Sequence, residues 1–178
     1  MNIFLLSLDI QKCAEFHCDK HLVKMILETA MLLCTTLQLL GQPAPYRAVF
    51  PKHPCNKWLL ESLSNWRFIR ELGRALNTEY RFRYDKNQDH KAYTIMEQLE
   101  EPNLEDKGLT RFALAMPDKY KEEDAILSYR KYYSAEKYRF ATWKKRNVPA
   151  WFLPLRKQLL DEEIIEEEEE PVKKRKLK

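Results

Sequence analysis

Glycine is nearly absent from this chain of 178 residues, which contains three. Turn-rich β architectures use glycine for bulges and positive-φ corners, so its scarcity turns the reading toward helices. There is no Gly-rich phosphate loop, no serine at a nucleophile elbow and no paired Cys-x-x-Cys. P-loop nucleotide hydrolysis, triad hydrolysis and paired-CxxC zinc modules are thereby set aside. No apolar run approaches the length that spans a bilayer, and the opening NIFLLSL is too short, and lacks a preceding basic region, to be a secretion signal. A soluble intracellular protein with no membrane partner is expected. Its four cysteines, Cys13, Cys18, Cys34 and Cys55, are read as reduced thiols rather than a disulfide scaffold.

Hydrophobic residues make up 44% of the chain and aromatics 12%, enough for a core of ordinary size. The net charge of +4 conceals an asymmetry. Residues 161–170 (DEEIIEEEEE) carry eight acids, and residues 171–178 (PVKKRKLK) carry five bases. That leaves 26 basic and 19 acidic residues in 1–160, a positive body compatible with a polyanion partner or with a lysine-rich solvated surface.

The periodicity predicts an all-α chain: a compact single-domain helical bundle (1–160) with a short extended N-terminal segment. A disordered C-terminal tail, the acidic run followed by the basic cluster, occupies 161–178. Asp9 is placed to cap a helix running to about Leu40, ended by GQPAP. The loop YRAVFPKHP is ordered, if at all, by its aromatics. A second long helix is expected over 56–84, shorter pieces near 93–100 and 109–116, an aromatic-rich helix over 122–146, and a last one over 150–165 opened by Pro149.

On a helical wheel the first long helix gathers Cys13, His17, His21, Lys24, Glu28 and Thr35 within roughly an 80° sector. From Leu22 onward the rest of the helix is nearly all apolar. A polar stripe on a buried helix costs free energy unless its groups are paired or used. Lys24 and Glu28 also fit an ordinary i,i+4 pair facing solvent. Cys13, His17 and His21 raise an alternative three-ligand metal site, although C-x3-H-C-x2-H matches no usual structural zinc spacing. No cofactor is expected.

The segment Asp19–Glu28, DKHLVKMILE, resembles the corresponding helix of the pyrimidine-dimer DNA glycosylases. Asp19, His21, Leu22 and Glu28 fall at that family's separations. A later His53-Pro54, followed by a helix from Trp58 to Glu79 and Arg83, is similar as well. The chain also resembles uncharacterised phage and large-DNA-virus proteins that begin MNIF and carry a CDKH…KMI.E motif. The glycosylase resemblance spans roughly residues 1–90. It implies base excision and strand nicking in damaged double-stranded DNA, with Glu28 stabilising an oxocarbenium-like sugar and moving protons. His21 would orient Glu28 or contact phosphate. The α-amine, whose pKa lies well below that of lysine, would form a Schiff base. The chain departs from the family at residue 2, where Asn is too large for efficient removal of Met1. Amine attack would therefore use Met1, or the lyase step is absent. The family's arginines around the glutamate are also missing, since Leu27 and Thr29 flank Glu28.

Candidate DNA contacts are Lys20, Lys24, His53, Lys57, Arg67, Arg70, Arg83, His90, Arg130, Lys137, Lys144, Lys145 and Arg146, interleaved with aromatics able to stack on unpaired bases or to pack in the core. Lys173, Lys174, Arg175 and Lys176 resemble a nuclear-import signal that would engage an import receptor and place the protein in a nucleus. The alternative function is a non-enzymatic DNA-binding or chromatin-associated protein of a nuclear-replicating virus.

Overall fold

The computed structural model describes residues 2–162; the expected tail and its import cluster lie outside them, as does Met1. Every regular element among the described residues is helical. In chain order these are α1 (Ile10–Phe16), α2 (Asp19–Leu39), α3 (Pro54–Leu59), α4 (Leu63–Tyr84), α5 (Lys91–Glu97), α6 (Ala125–Glu136) and α7 (152–162), with 3-10 turns at Asp118–Tyr120 and Tyr138–Phe140. Ahead of α1 the N-terminal segment runs through the core, with Ile3, Phe4, Leu5 and Leu6 buried. Each such side chain contributes about 1.5–3 kcal/mol.

The expected helix from 10 to 40 is two helices, because tertiary donors take over the bonds a continuous helix would need. His17 and Cys18 are extended, with ψ of 131° and 159°. The guanidinium of Arg83, from α4, donates to the carbonyls of Glu15 (2.6 Å) and His17 (2.8 Å). The Cys18 amide turns to the Tyr133 hydroxyl (2.9 Å) and the Asp19 amide to the Thr142 carbonyl (2.8 Å). These tertiary bonds stand in for helical ones at the junction, and α2 restarts at Asp19.

The expected 56–84 helix also divides. Ser62 caps α4 by accepting from the Ser64 amide, while the Leu63 amide donates to the Glu105 carbonyl. The helix expected over 122–146 stops at Glu136, and residues 109–116 are irregular. Beyond α6 the chain is held by aromatic packing, with Trp143 against Phe152 at 4.8 Å.

Helices α2 and α4 form the central pair. They approach closely at Gly73, where a Cβ would lie 2.4 Å from Met96 Sδ and 3.0 Å from Thr29 Cγ2. By length and composition α2 would pass for a membrane span, contrary to the sequence expectation. Its most apolar stretch is 67% buried inside the fold, as in a core helix. The proline-rich loop before α3 is ordered by polar side chains as well as by Tyr46, which packs against the core, while its other aromatic, Phe50, is exposed. Gln38 bridges the Tyr46 carbonyl (2.6 Å) and the Ala48 amide (2.6 Å), Thr35 receives the Val49 amide, and Asn56 donates to the carbonyls of Val49 and Phe50.

Candidate functional site

Glu28 sits about two and a half turns into α2, on the flank that faces the N-terminal segment, and is 8% exposed. Its carboxylate accepts the Asn2 amide at 2.9 Å through Oε2, and Lys24 Nζ lies 3.3 Å from Oε1. The ordinary i,i+4 pair therefore exists, with its lysine in solvent and its carboxylate inside. Asn2 is pinned on both sides. Its Nδ2 donates to the Ala115 carbonyl (2.8 Å), and its Oδ1 accepts from the Ile3 amide (2.8 Å) and faces the Cys55 thiol at 3.7 Å. Its side chain thus ties the N-terminal segment to the chain near Ala115 and Cys55.

A cavity of about 190 Å³ opens beside this carboxylate, lined by Asn2, Phe4, His21, Lys24, Met25, Glu28, Tyr132 and Lys137. Lys137, just past the end of α6, donates to the Tyr132 hydroxyl (3.4 Å) and lies 4.7 Å from that ring's centre. His21 stacks on Phe4 at 4.8 Å, with Tyr133 edge-on at 5.2 Å. Burial, reinforced by the charges of His17, Lys137, Lys24 and Lys20, pushes its pKa down to about 3. It therefore enters the cavity as a neutral ring, not as a phosphate-binding cation. Its Nδ1 is buried with no hydrogen-bond partner among the described residues. His53, which caps α3, adjoins the same region; burial lowers its pKa, with Glu28 pulling the other way. One carboxylate, two ammonium groups, a neutral imidazole and a phenol thus converge on a space large enough for a small planar or sugar-sized group.

The alternative metal set does not assemble. Cys13 receives the Leu6 amide and donates its thiol to the Phe4 carbonyl (3.4 Å), and burial raises its pKa to about 11. His17 spends Nδ1 on the Cys13 carbonyl at 2.7 Å. No three metal-ligating side chains converge among the described residues.

Many of the candidate DNA contacts are committed within the fold. Arg83 is fully buried, bonded to Glu79 (2.6 Å), Asp19 (3.1 Å) and two carbonyls. Arg146 clasps Glu79 with two bonds, at 3.0 and 2.8 Å, and reaches Glu15. Arg130 donates to the Leu6 carbonyl and lies over Trp151. His90 caps α5. Arg67 pairs with Glu101 and Asp106, Arg70 donates to the Glu97 carbonyl, and Lys145 pairs with Asp85. Lys20, Lys24, Lys57 and Lys144 are exposed, and Lys137 lines the cavity. The sequence reading missed Asn2, Phe4, Met25 and Tyr132 as lining residues. Asn2 and Phe4 precede any periodic pattern, and Tyr132 was indistinguishable from its core neighbours in α6. Met1, the expected nucleophile, lies outside the described residues.

No protein-family model, curated protein or solved structure matches this chain.

Proposed function

We propose that the chain is a DNA glycosylase with associated lyase activity, acting on damaged duplex DNA. The observation that carries this reading is the 2.9 Å bond from the Asn2 amide to the Glu28 carboxylate at the wall of a small basic cavity. A reaction that passes through a cationic sugar and a protonated amine adduct needs a negative charge held near the chain's first peptide linkage and shielded from bulk water. Glu28 meets that need. Lys24 and Lys137 supply positive charge for the phosphates flanking an unpaired nucleotide. In this reading Glu28 stabilises the oxocarbenium-like sugar and takes up the proton whose removal drives β-elimination. The amine of Met1 is the assigned nucleophile. The import reading of Lys173, Lys174, Arg175 and Lys176 belongs to the same proposal and places the work in a nucleus.

Borohydride reduction tests the chemistry. On duplex DNA carrying an abasic site, the wild-type protein is expected to be trapped as a covalent adduct, with residue 1 carrying the link in a tryptic digest. Glu28→Gln is expected to lower strand scission by about 10²–10⁴-fold while duplex binding persists. Retained cutting by that variant removes Glu28 from the mechanism. Salt-sensitive duplex binding with no adduct and no scission on any lesion would instead mark a non-enzymatic DNA-binding protein. Absence of duplex binding at low salt defeats both readings.

A further inference from the structure

Phe50 is 68% exposed, the most exposed large hydrophobic among the described residues. Its backbone is left-handed, with φ of 46°, a conformation that bulky residues rarely adopt and that persists only where the surroundings fix it. Those surroundings are present. Its carbonyl accepts from the His53 amide (2.8 Å) and from Asn56 Nδ2 (2.8 Å), and the preceding residue is tied to Thr35 of α2. The loop is therefore held rigidly while its aromatic side chain is held out in solvent.

The position is next to the candidate site. Phe50, Pro51, Lys52 and His53 line a groove of about 410 Å³. His53 feels the charge of Glu28, and Cys55, two residues on, touches Asn2. The charge is also one-sided. From Thr29 to Leu60 the sequence contains no Asp or Glu, while Arg47, Lys52 and Lys57 are all basic and exposed. These three have no carboxylate partner among the described residues, unlike Arg67, Arg74, Arg81 and Arg146 on other faces.

We propose that Phe50 is a wedge that enters the base stack of duplex DNA where a nucleotide has left it for the Glu28 cavity, with Arg47, Lys52 and Lys57 on the flanking phosphates. The proposal rests on the reading of that cavity as a DNA-lesion site. An apolar side chain inserted at a base step replaces the stacking surface that extrusion of a nucleotide removes, and cations on either side hold the bent backbone against it. A rigid loop suits the role because the wedge loses little freedom on binding.

The test uses a duplex containing a tetrahydrofuran abasic analogue, which cannot form a Schiff base, with 2-aminopurine beside it as a fluorescent report of unstacking. Wild-type protein is expected to raise the fluorescence on binding. Phe50→Asn, which suits the left-handed backbone, is expected to lose the rise and to bind roughly tenfold more weakly. Phe50→Trp is expected to restore it, and Phe50→Gly, which also suits the left-handed backbone, serves as the second ring-less variant should Phe50→Asn fold poorly. A rise undiminished in the ring-less variants overturns the wedge and leaves the chemistry of Glu28 to the borohydride experiment. A Phe50-dependent rise without any borohydride adduct upholds the wedge and defeats the lyase reading. A Phe50-dependent dimer in sedimentation, with the fluorescence unchanged, assigns the residue to a second copy of this chain and overturns the proposal, as does failure to bind the duplex at low salt.

Discussion

Two places along α2 join carboxylates to cations, and the fold treats them in opposite ways. In the clasp at the α1–α2 junction, Glu79 is 1% exposed and Arg83 is fully buried. Asp19 accepts from Arg83, from the Thr142 hydroxyl and from the Lys144 amide, and Arg146 closes the cluster over Glu79 and Glu15. Nearly all its hydrogen-bonding capacity is consumed internally. In the cavity, one carboxylate faces two ammonium groups and a neutral ring across about 190 Å³ of space. The same residue types therefore divide by their surroundings. Groups enclosed and bonded to one another within the fold form a structural joint, and groups gathered on the wall of a cavity form a candidate site.

The largest expected effect breaks the clasp. Arg83→Met removes the donor to two helix-end carbonyls and leaves Glu79 buried against Arg146 alone. A loss of about 3–5 kcal/mol is expected in urea unfolding. The same assay on Glu28→Gln should show a far smaller loss, about 1 kcal/mol, the size of one exchanged hydrogen bond. Equal losses would erase the distinction between the two regions.

Acid provides the next effect, and it acts between them. Burial, only partly offset by the Cys13 carbonyl, lowers the pKa of His17 to about 4, and that of His21 falls to about 3. Both stay neutral in the folded chain while the unfolded chain takes up protons below about 6.5. The unfolded state then binds more protons, so stability is intact above that pH and falls as pH drops toward 4. Each histidine accounts for a loss on the order of 2 kcal/mol by pH 5. Glu79 joins later. Burial would raise its carboxyl, but Arg146 and Arg83 hold it below its ordinary value, so its contribution is present above the usual carboxylate range and fades only as pH falls through the depressed value. Unfolding followed from pH 7 to 5 should therefore flatten in a His17→Phe/His21→Phe variant. An unchanged slope would mean that neither ring is neutral in the fold.

What the sequence made legible follows the range of the forces involved. Helical class was readable because it rests on local periodicity and on the scarcity of glycine. Glu28 was readable because its separation from His21 and its place on an apolar helix are local as well. The break at His17–Cys18 was not, because Arg83, Tyr133 and Thr142 make it from 66 to 123 residues away. The same distance problem hid the clasp. Arg83 and Arg146 looked like solvated phosphate ligands: the Glu79–Arg83 pair is local, four residues apart in α4, but Glu15, Asp19 and Arg146 join it from far along the chain. Asn2 appeared only as a departure from a pattern, because its partners Ala115 and Cys55 lie far along the chain.

The smallest expected effect is on stability and the most discriminating is on binding, and both come from Lys137. Its ammonium lies over Tyr132 and 6.0 Å from the centre of Phe4, so most of what it contributes to packing comes from its methylene stem. Lys137→Met keeps a stem of similar length and removes the charge, and the unfolding free energy should change by no more than about 0.5 kcal/mol. If the cavity receives a nucleotide, the charge is one of those that displace counterions from DNA. The plot of log binding constant against log salt concentration should then become shallower by about 0.9 for this one residue. Arg146→Met supplies the contrast, because its charge is already neutralised by Glu79; it should cost stability and leave the salt slope unchanged. A reversed pattern, with Arg146 governing the slope and Lys137 without influence on it, would move the nucleic-acid surface away from Glu28 and leave the cavity without its proposed substrate.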